Sequence, residues 1–325
     1  MTTEAPSLDA RQASQLPVPD FGLAFGRLSP GGRLVCAGDH LQLPPILKHS
    51  NYPAGEPPLF GSLLHCLLRD EENRVLPLGG DVHSAMQRAQ LTVKLRVNYR
   101  MNAALTRFSQ RLYGSDYTAD TSNVGLQLRR EATSGVGGSD LAWAVEAALD
   151  PAAPLVLLNV AYAEGSSSEQ QVGLEARVVV ALANHLHAHG LFNESERGQG
   201  VYVVTPHHIQ RRAICCALDA GADPERVDTV EKIQGQQADV VIVCYGFADL
   251  DRLEGEKDFI FSRARLNVSL TRARRKCVLI CTDEVLNPPH SILGNAAVRD
   301  GILHLQAWAS HCHSSEDGVA LRIAH

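Results

Sequence analysis

What the sequence lacks narrows the field first. In 325 residues no Gly-rich loop ends in Gly-Lys followed by Ser or Thr, so the chain supplies neither the backbone cradle nor the lysine that holds nucleotide β- and γ-phosphates. No Cys-x-x-Cys pair occurs. The spacing of Cys277, Cys281 and His290, and of His311, Cys312 and His313, fits no common zinc pattern, so no metal site is expected. No secretory signal is seen, and no apolar run approaches the ~20 residues that cross a bilayer. Of the eight cysteines, Cys36, Cys66, Cys215, Cys216, Cys244, Cys277 and Cys281 lie in apolar runs. Free cysteine behaves as a small buried hydrophobe, so reduced thiols and a reducing interior, cytosol or nucleus, are expected.

What is present is ordinary for a soluble globular protein, with 45% apolar and 20% charged residues. The length suits about two domains. A net charge of −6 excludes a uniformly basic nucleic-acid coat but not a local basic track. Such a track exists: from Arg263 to Lys276 every charged side chain is basic.

Short apolar runs bounded by turn signals alternate with helix-period segments, the pattern of a parallel α/β sheet. Strands are expected at Arg33–Ala37, Leu155–Val160, Val201–Val204, Asp239–Tyr245 and Lys276–Thr282. Helices are expected at Asn102–Tyr113, Leu174–His187 and Ile209–Leu218. Pro53–Pro58, Gly79-Gly80 and Thr133–Asp140 read as loops or insertions. After Asn287 the pattern weakens, and His311–Asp317 reads as a loose end.

Five blocks carry chemistry. Gly38-Asp39 follows the apolar strand Leu34–Ala37, where parallel sheets gather ligands. Gln42 adds a donor and an acceptor, and Leu43-Pro44-Pro45 fixes the loop's exit. Asn98-Tyr99-Arg100-Met101 precedes a helix. Val203-Val204-Thr205-Pro206 ends a strand and opens a helix containing Gln210, a place suited to phosphate oxygens. Thr229-Val230-Glu231-Lys232-Ile233-Gln234-Gly235-Gln236-Gln237 leads into a strand; Thr229 and Gln234 are uncharged donors for sugar and phosphate. Arg265-Leu266-Asn267-Val268-Ser269-Leu270-Thr271-Arg272-Ala273-Arg274 leads into the next. Read as one helix, it places Arg265, Arg272 and Arg275 on one side and Arg263 and Arg274 on the other. Arginine's planar, permanently charged fork suits a transferring phosphoryl group.

In this order, the five blocks resemble the motifs of superfamily 1 helicases, in the group of the nonsense-mediated-decay up-frameshift helicase and its nuclease-helicase relatives. The resemblance runs from about Ala13 to Asp283. It implies an α/β, RecA-like P-loop NTPase helicase fold. Residues 13–90 would be the tail end of a first RecA-like domain and 91–285 a complete second one. Residues 1–12 would be a segment foreign to the family, and 286–325 an appendix. It implies that Gln42, Arg100 and Arg272 act on the γ-phosphate, the two arginines as fingers. Gly38, Asp39, Tyr99, Gly235 and Gln237 would line the nucleotide. Thr205, Pro206, Thr229 and Gln234 would meet a single strand of RNA or DNA, along which the family moves 5′ to 3′.

The family also uses ATP with Mg²⁺, but its metal-holding Asp-Glu-Ala-Ser-Gln aligns here with Arg11-Gln12-Ala13-Ser14-Gln15, so both acids are replaced. Gln237 stands where an acid is usual, His207 where an aromatic is usual, and Val172 where Asn is usual. The expected activity is therefore that of the C-terminal part of an ATP-dependent helicase that, as this chain, turns over ATP poorly or not at all. The alternative is a non-catalytic nucleic-acid-binding or regulatory module; an unrelated phosphoryl-transfer enzyme fits the motif order less well.

Overall fold

The computed structural model describes residues 7–11, 13–45, 61–67, 93–123, 125–126, 140–188, 200–218, 226–246 and 249–324. The expected loops at Pro53–Pro58 and Gly79-Gly80, and nearly all of Thr133–Asp140, lie outside them. The chain divides into two compact units, residues 1–94 and 95–325.

In the first unit, β1 (Ser7–Arg11) and β2 (Arg33–Ala37) pair in parallel, Ser7 opposite Arg33 and Arg11 opposite Ala37. A strand of this unit thus lies within residues 1–12. Helix α1 (Val18–Phe25) has proline before its first turn, where the missing N–H costs nothing. A short α2 (Leu63–Leu67) follows. Gly38 leaves β2 so close to the chain that a Cβ there would sit 2.9 Å from the Ser14 nitrogen.

The second unit is built on six parallel strands: β5 (Leu155–Ala161), β6 (Val201–Val204), β7 (Val227–Asp228), β8 (Ala238–Tyr245), β9 (Ala273–Cys281) and β10 (Gly318–Ala324), in the order β10-β5-β9-β8-β6-β7. A separate pair, β3 (Val97–Asn98) and β4 (Thr118–Ala119), is also parallel. All eight residues of β8 are buried, which is why its sequence from Val240 to Tyr245 is an apolar run rather than an alternating pattern. The helices are α3 (Ala103–Tyr113), α4 (Asp140–Ala148), α5 (Ser168–Ala188), α6 (His208–Ala217), α7 (Leu250–Gly255), α8 (Lys257–Ile260), α9 (Arg263–Thr271), α10 (Asp283–Leu286) and α11 (Ala296–Ser314).

Two expectations are corrected. Helix α9 stops at Thr271 with Arg272 as its C-cap, and Arg274 and Arg275 belong to β9. They share no helical face with Arg265; both instead reach the buried Asp239 carboxylate, at 3.6 and 3.2 Å. The residues after 286 are not a loose appendix. His311–Ser314 completes α11, and β10 then pairs with β5 from Gly318–Leu155 to Ala324–Ala161. Leu321 and Ile323 are buried in the same core as Val156 and Leu158; this burial holds the strand in place. The sequence hid it because β10 alternates, as an edge strand does, and lacks the long apolar run of its neighbours.

Lys276 of β9 is fully buried. Its Nζ donates to the carbonyls of Ala148 (2.9 Å), Asp150 (2.8 Å) and Ala153. The ammonium thus satisfies chain ends at the C-terminus of α4, the end where a helix favours positive charge.

Candidate functional site

The candidate residues of the second unit fall on two opposite edges of its sheet. At the amino ends of β8 and β9 lies the arginine cluster. Buried Asn98 shapes the loop that carries Arg100: its Oδ1 accepts from the Arg100 and Met101 amides at 2.9 and 3.2 Å, and its Nδ2 donates to Thr106 Oγ1. Asn102 caps α3 by accepting from the Leu105 amide at 3.0 Å and ties the helix to β9 by donating to the Arg275 carbonyl at 2.7 Å. So anchored, Arg100 donates from Nε to Gln237 Oε1 (3.1 Å) and from Nη1 to the Thr271 carbonyl (2.7 Å).

Arg272, only 2% exposed, donates to the carbonyls of Val268 (3.2 Å) and Gln236 (3.4 Å) and to Thr271 Oγ1 (3.3 Å). Three blocks far apart in sequence therefore meet: Arg100, the Gln236-Gln237 pair and Thr271-Arg272. Gly235 turns the chain into this cluster with φ 86°, a value glycine adopts without steric cost. Burial pulls the Arg100 guanidinium below its ordinary pKa, yet an arginine stays charged there. Tyr99 points away from the core, 74% exposed.

At the carboxyl ends of β6 and β7 the picture differs. Thr205 is fully buried, and its hydroxyl donates to the His207 carbonyl at 3.3 Å; Pro206 is buried too. Neither is presented to solvent; both set the turn that leads to a half-buried His207 and an exposed His208. Thr229 and Gln234 are half-buried, and the Thr229 amide donates to Asp228 Oδ1 at 2.8 Å. Asp228 is also met by Arg211 (3.5 Å) and Lys232 (3.4 Å).

Glu175 was not among the expected site residues, and its pairing with Gln210 and Gly246 depends on the fold. Its carboxylate is wholly buried, accepting from Gln210 Nε2 at 2.5 Å and from the Gly246 amide at 2.9 Å. Tyr162 closes the group by donating to the Gly246 carbonyl at 3.0 Å. α5, α6 and the end of β8 are thereby joined at one carboxyl group. Desolvation pushes Glu175 up to about 7, against the opposing pull of its two hydrogen bonds. A glutamate between Leu174 and Ala176 on an apolar helix face is the sequence signal for it.

In the first unit, Asp39 folds the loop after β2: it accepts from the Leu41 amide and from Gln42 Nε2, both at 2.9 Å. Gly38, Asp39 and Gln42 are thus together at the carboxyl end of β2.

A protein-family model described as an AAA domain (AAA_12) matches residues 82–284. The chain belongs to this AAA domain family. Its relatives include the DNA replication ATP-dependent helicase/nuclease DNA2 of Xenopus laevis, 27% identical over 286 residues, or 85% of this chain and 25% of that protein. The DNA-binding protein SMUBP-2 of Mesocricetus auratus is 28% identical over 264 residues, 78% of this chain and 23% of its own length. The dna2 protein of Schizosaccharomyces pombe is 24% identical over 282 residues, 82% and 18%. The chain spans about a quarter of the length of these relatives. It falls in the superfamily 1 helicase-like group, and its mixed α/β architecture with a parallel sheet is the RecA-like helicase fold of that group. No described helix of this AAA domain protein is long and apolar enough to cross a membrane.

Proposed function

We propose that residues 95–325 act as the second motor domain of a superfamily 1 helicase, which moves 5′ to 3′ along single-stranded nucleic acid in a soluble compartment, cytosolic or nuclear. Its amino-edge arginines serve the phosphate end of ATP, and its carboxyl edge serves the strand. The observation that carries this reading is the meeting of Arg100, Gln237 and Thr271-Arg272 on one edge. Arg100 commits two of its five N–H donors to Gln237 and Thr271, so its fork is aimed and still has donors for a phosphate oxygen. Two guanidinium groups here suit charge that builds as a phosphoryl group transfers.

The residues fit a nucleotide's phosphates better than they fit a cation. Among the described residues, no three His, Cys, Asp or Glu side chains gather to hold a metal ion, so no step is assigned to Mg²⁺. Bound ATP would supply the charge that Arg100 and Arg272 sense; Tyr99, exposed beside Arg100, lies where a nucleotide base or sugar would approach. On the opposite edge, Thr229 and Gln234 offer donors to the backbone of a strand, while buried Thr205 and Pro206 hold the turn beneath it.

The same reading assigns the chain little ATP turnover of its own, because the sequence contains no Gly-Lys-Ser/Thr loop. Phosphate release from ATP by the purified 325-residue chain, with and without single-stranded DNA or RNA, tests this. The expected result is strand binding that Thr229→Ala weakens, with no stimulated turnover. Strand-stimulated turnover would overturn the assignment of low activity, and absence of strand binding would overturn the motor reading. The missing loop also favours a second reading, a strand-binding module that no longer responds to nucleotide. It predicts strand affinity unchanged by ATP and by Arg100→Ala.

A further inference from the structure

Connections leave β6 and β8 in opposite directions. β6 passes the chain outward to β7, whereas β8 passes it to β9 on its other side. In open parallel sheets, the crevice at such a reversal, outside the carboxyl ends of the strands, is where ligands bind. Here that crevice holds a cavity of about 380 Å³, lined by His207 from the turn after β6 and by Gly255, Glu256, Asp258 and Phe259 from the segment after β8. None of the expected strand-binding residues lines it.

Its chemistry is specific. The His207 and Phe259 rings stack, with centroids 5.6 Å apart, and the Arg265 guanidinium lies 4.1 Å from the Phe259 centroid. Arg265 is in turn held by Glu231 at 2.9 Å, so the aromatic pair is braced from the Thr229-Gln237 block. Burial, with Arg252 next, pulls the His207 imidazole down, and its Nε2 lies 3.1 Å from Glu256 Oε2. Glu256 is also met by Arg252 at 3.4 Å. Asp258 is exposed, and its Oδ1 accepts from Asn295 at 2.9 Å; among the described residues its second carboxylate oxygen stays open to a ligand.

Aromatic rings beside an open carboxylate suit neither a phosphate, which the carboxylate repels, nor a wholly apolar group. They suit a flat ring with N–H donors on its edge. We propose that this crevice takes one unpaired base of the bound strand, against the His207–Phe259 pair, with Asp258 accepting from the exocyclic amine of adenine, cytosine or guanine. The inference rests on the strand-binding role of the carboxyl edge and adds base contact to backbone contact. Thymine and uracil, which carry no exocyclic amine, are the disfavoured bases.

The test measures binding of the full chain, by fluorescence anisotropy at fixed salt, to labelled single strands of equal length: oligo-dA, oligo-dC, oligo-dT and an abasic strand. The expected result is dA and dC about fivefold tighter than dT, and the abasic strand about tenfold weaker than dA. Asp258→Ala, which removes the acceptor altogether, abolishes the dA and dC preference and leaves abasic binding unchanged. Phe259→Leu brings dA affinity down towards the abasic value. Asp258 is on the surface, so its variant reports even if Phe259→Leu fails to fold. Equal affinity for all four strands would overturn the base site and leave the backbone reading standing; no binding to any strand would overturn both. An oligolysine peptide bound through Asp258, with strand affinity unchanged by Asp258→Ala, would also overturn it.

Discussion

Arg100 and Gln237 lie 137 positions apart and meet side chain to side chain at 3.1 Å, with the Arg100 guanidinium fixed from its other side by the Thr271 carbonyl. The contact joins the loop after β3 to the loop before β8, and it is made by a neutral amide. A neutral partner aims the arginine without cancelling its charge, which keeps the field that a phosphate would meet.

This relationship gives the first prediction. Arg100→Ala leaves the half-buried Thr271 carbonyl and Gln237 without their donor and should cost about 1–2 kcal/mol in urea unfolding. Gln237→Glu places a carboxylate against the guanidinium and should raise stability at neutral pH by up to about 1 kcal/mol. That gain should disappear on acidification, as the new carboxylate protonates. A Gln237→Glu variant no more stable than the parent at neutral pH would show that the pair does not form in solution.

Much of this architecture was legible because its parallel strands read as short apolar runs bounded by turn signals. Arg33–Ala37 and Val201–Val204 were located to the residue, and Asp239–Tyr245 to within one. β9 begins three residues earlier than expected, because Ala273-Arg274-Arg275 reads as the end of a basic helix until Asp239 is seen to anchor both arginines. β10 was missed because an edge strand needs only one apolar face. The arginine cluster was legible as separate blocks, but no sequence rule shows that Thr205 is sealed inside while His207 and Phe259 stack across a crevice. Those facts depend on which loops the strand order brings together.

Glu175 gives a pH prediction. Burial raises its folded pKa to about 7 from the ordinary 4.5, so between those values the folded chain holds a proton that the unfolded chain has lost. The group's stabilising contribution is full below about pH 4.5 and is lost as pH rises through about 7. A Gln at this position mimics the protonated form, since Gln210 can turn its Oε1, which has no partner among the described residues, towards the new amide. Glu175→Gln should therefore match the wild type near pH 4.5 and exceed it by about 3 kcal/mol at pH 8. Unfolding curves of both proteins across that range check it; a difference constant with pH would refute the buried carboxyl.

His304 should act in the opposite sense. It is 6% exposed on α11, beside Phe108, and burial, with Arg263 and Arg111 next, lowers its pKa from 6.5 to about 4. The unfolded chain takes up the proton first, so the stability gained from neutral His304 is present above about pH 6.5 and lost as pH falls towards 4. His304→Leu should remove that loss: relative to wild type, the variant should gain stability steadily from pH 6.5 to pH 4. A parallel pH dependence of the two proteins would place His304 outside the core.

Lys276 should prove structural. Lys276→Met keeps the apolar stem but leaves the Ala148, Asp150 and Ala153 carbonyls without the donors they now share. Each buried acceptor without a partner costs about 1–3 kcal/mol, partly offset because an ammonium is no longer taken out of water. A net loss of about 2–4 kcal/mol is expected in thermal or urea unfolding, with strand affinity unchanged in the protein that remains folded. A stable variant with weakened strand binding would reverse the assignment.

The segment after Leu286 should be indispensable. Trp308 of α11 donates its indole N–H to the Val156 carbonyl at 3.3 Å, and Ile302, Leu305 and Trp308 are buried. β10 covers the edge of β5 over seven residues. A chain ending at Leu286 exposes that edge, with its apolar run, to other chains; it should lose cooperative unfolding and aggregate at concentrations where the full chain does not. Gly301→Ala tests the same contact without a truncation. A Cβ at Gly301 would lie 1.6 Å from the Phe261 carbonyl oxygen, so α11 must move off the start of α9. The cost should be at least about 3 kcal/mol, in the range reserved for core overpacking against backbone. A near-neutral Gly301→Ala would mean that α11 does not pack on the segment before α9 in solution, and the sheet would then have to be stable without its last strand.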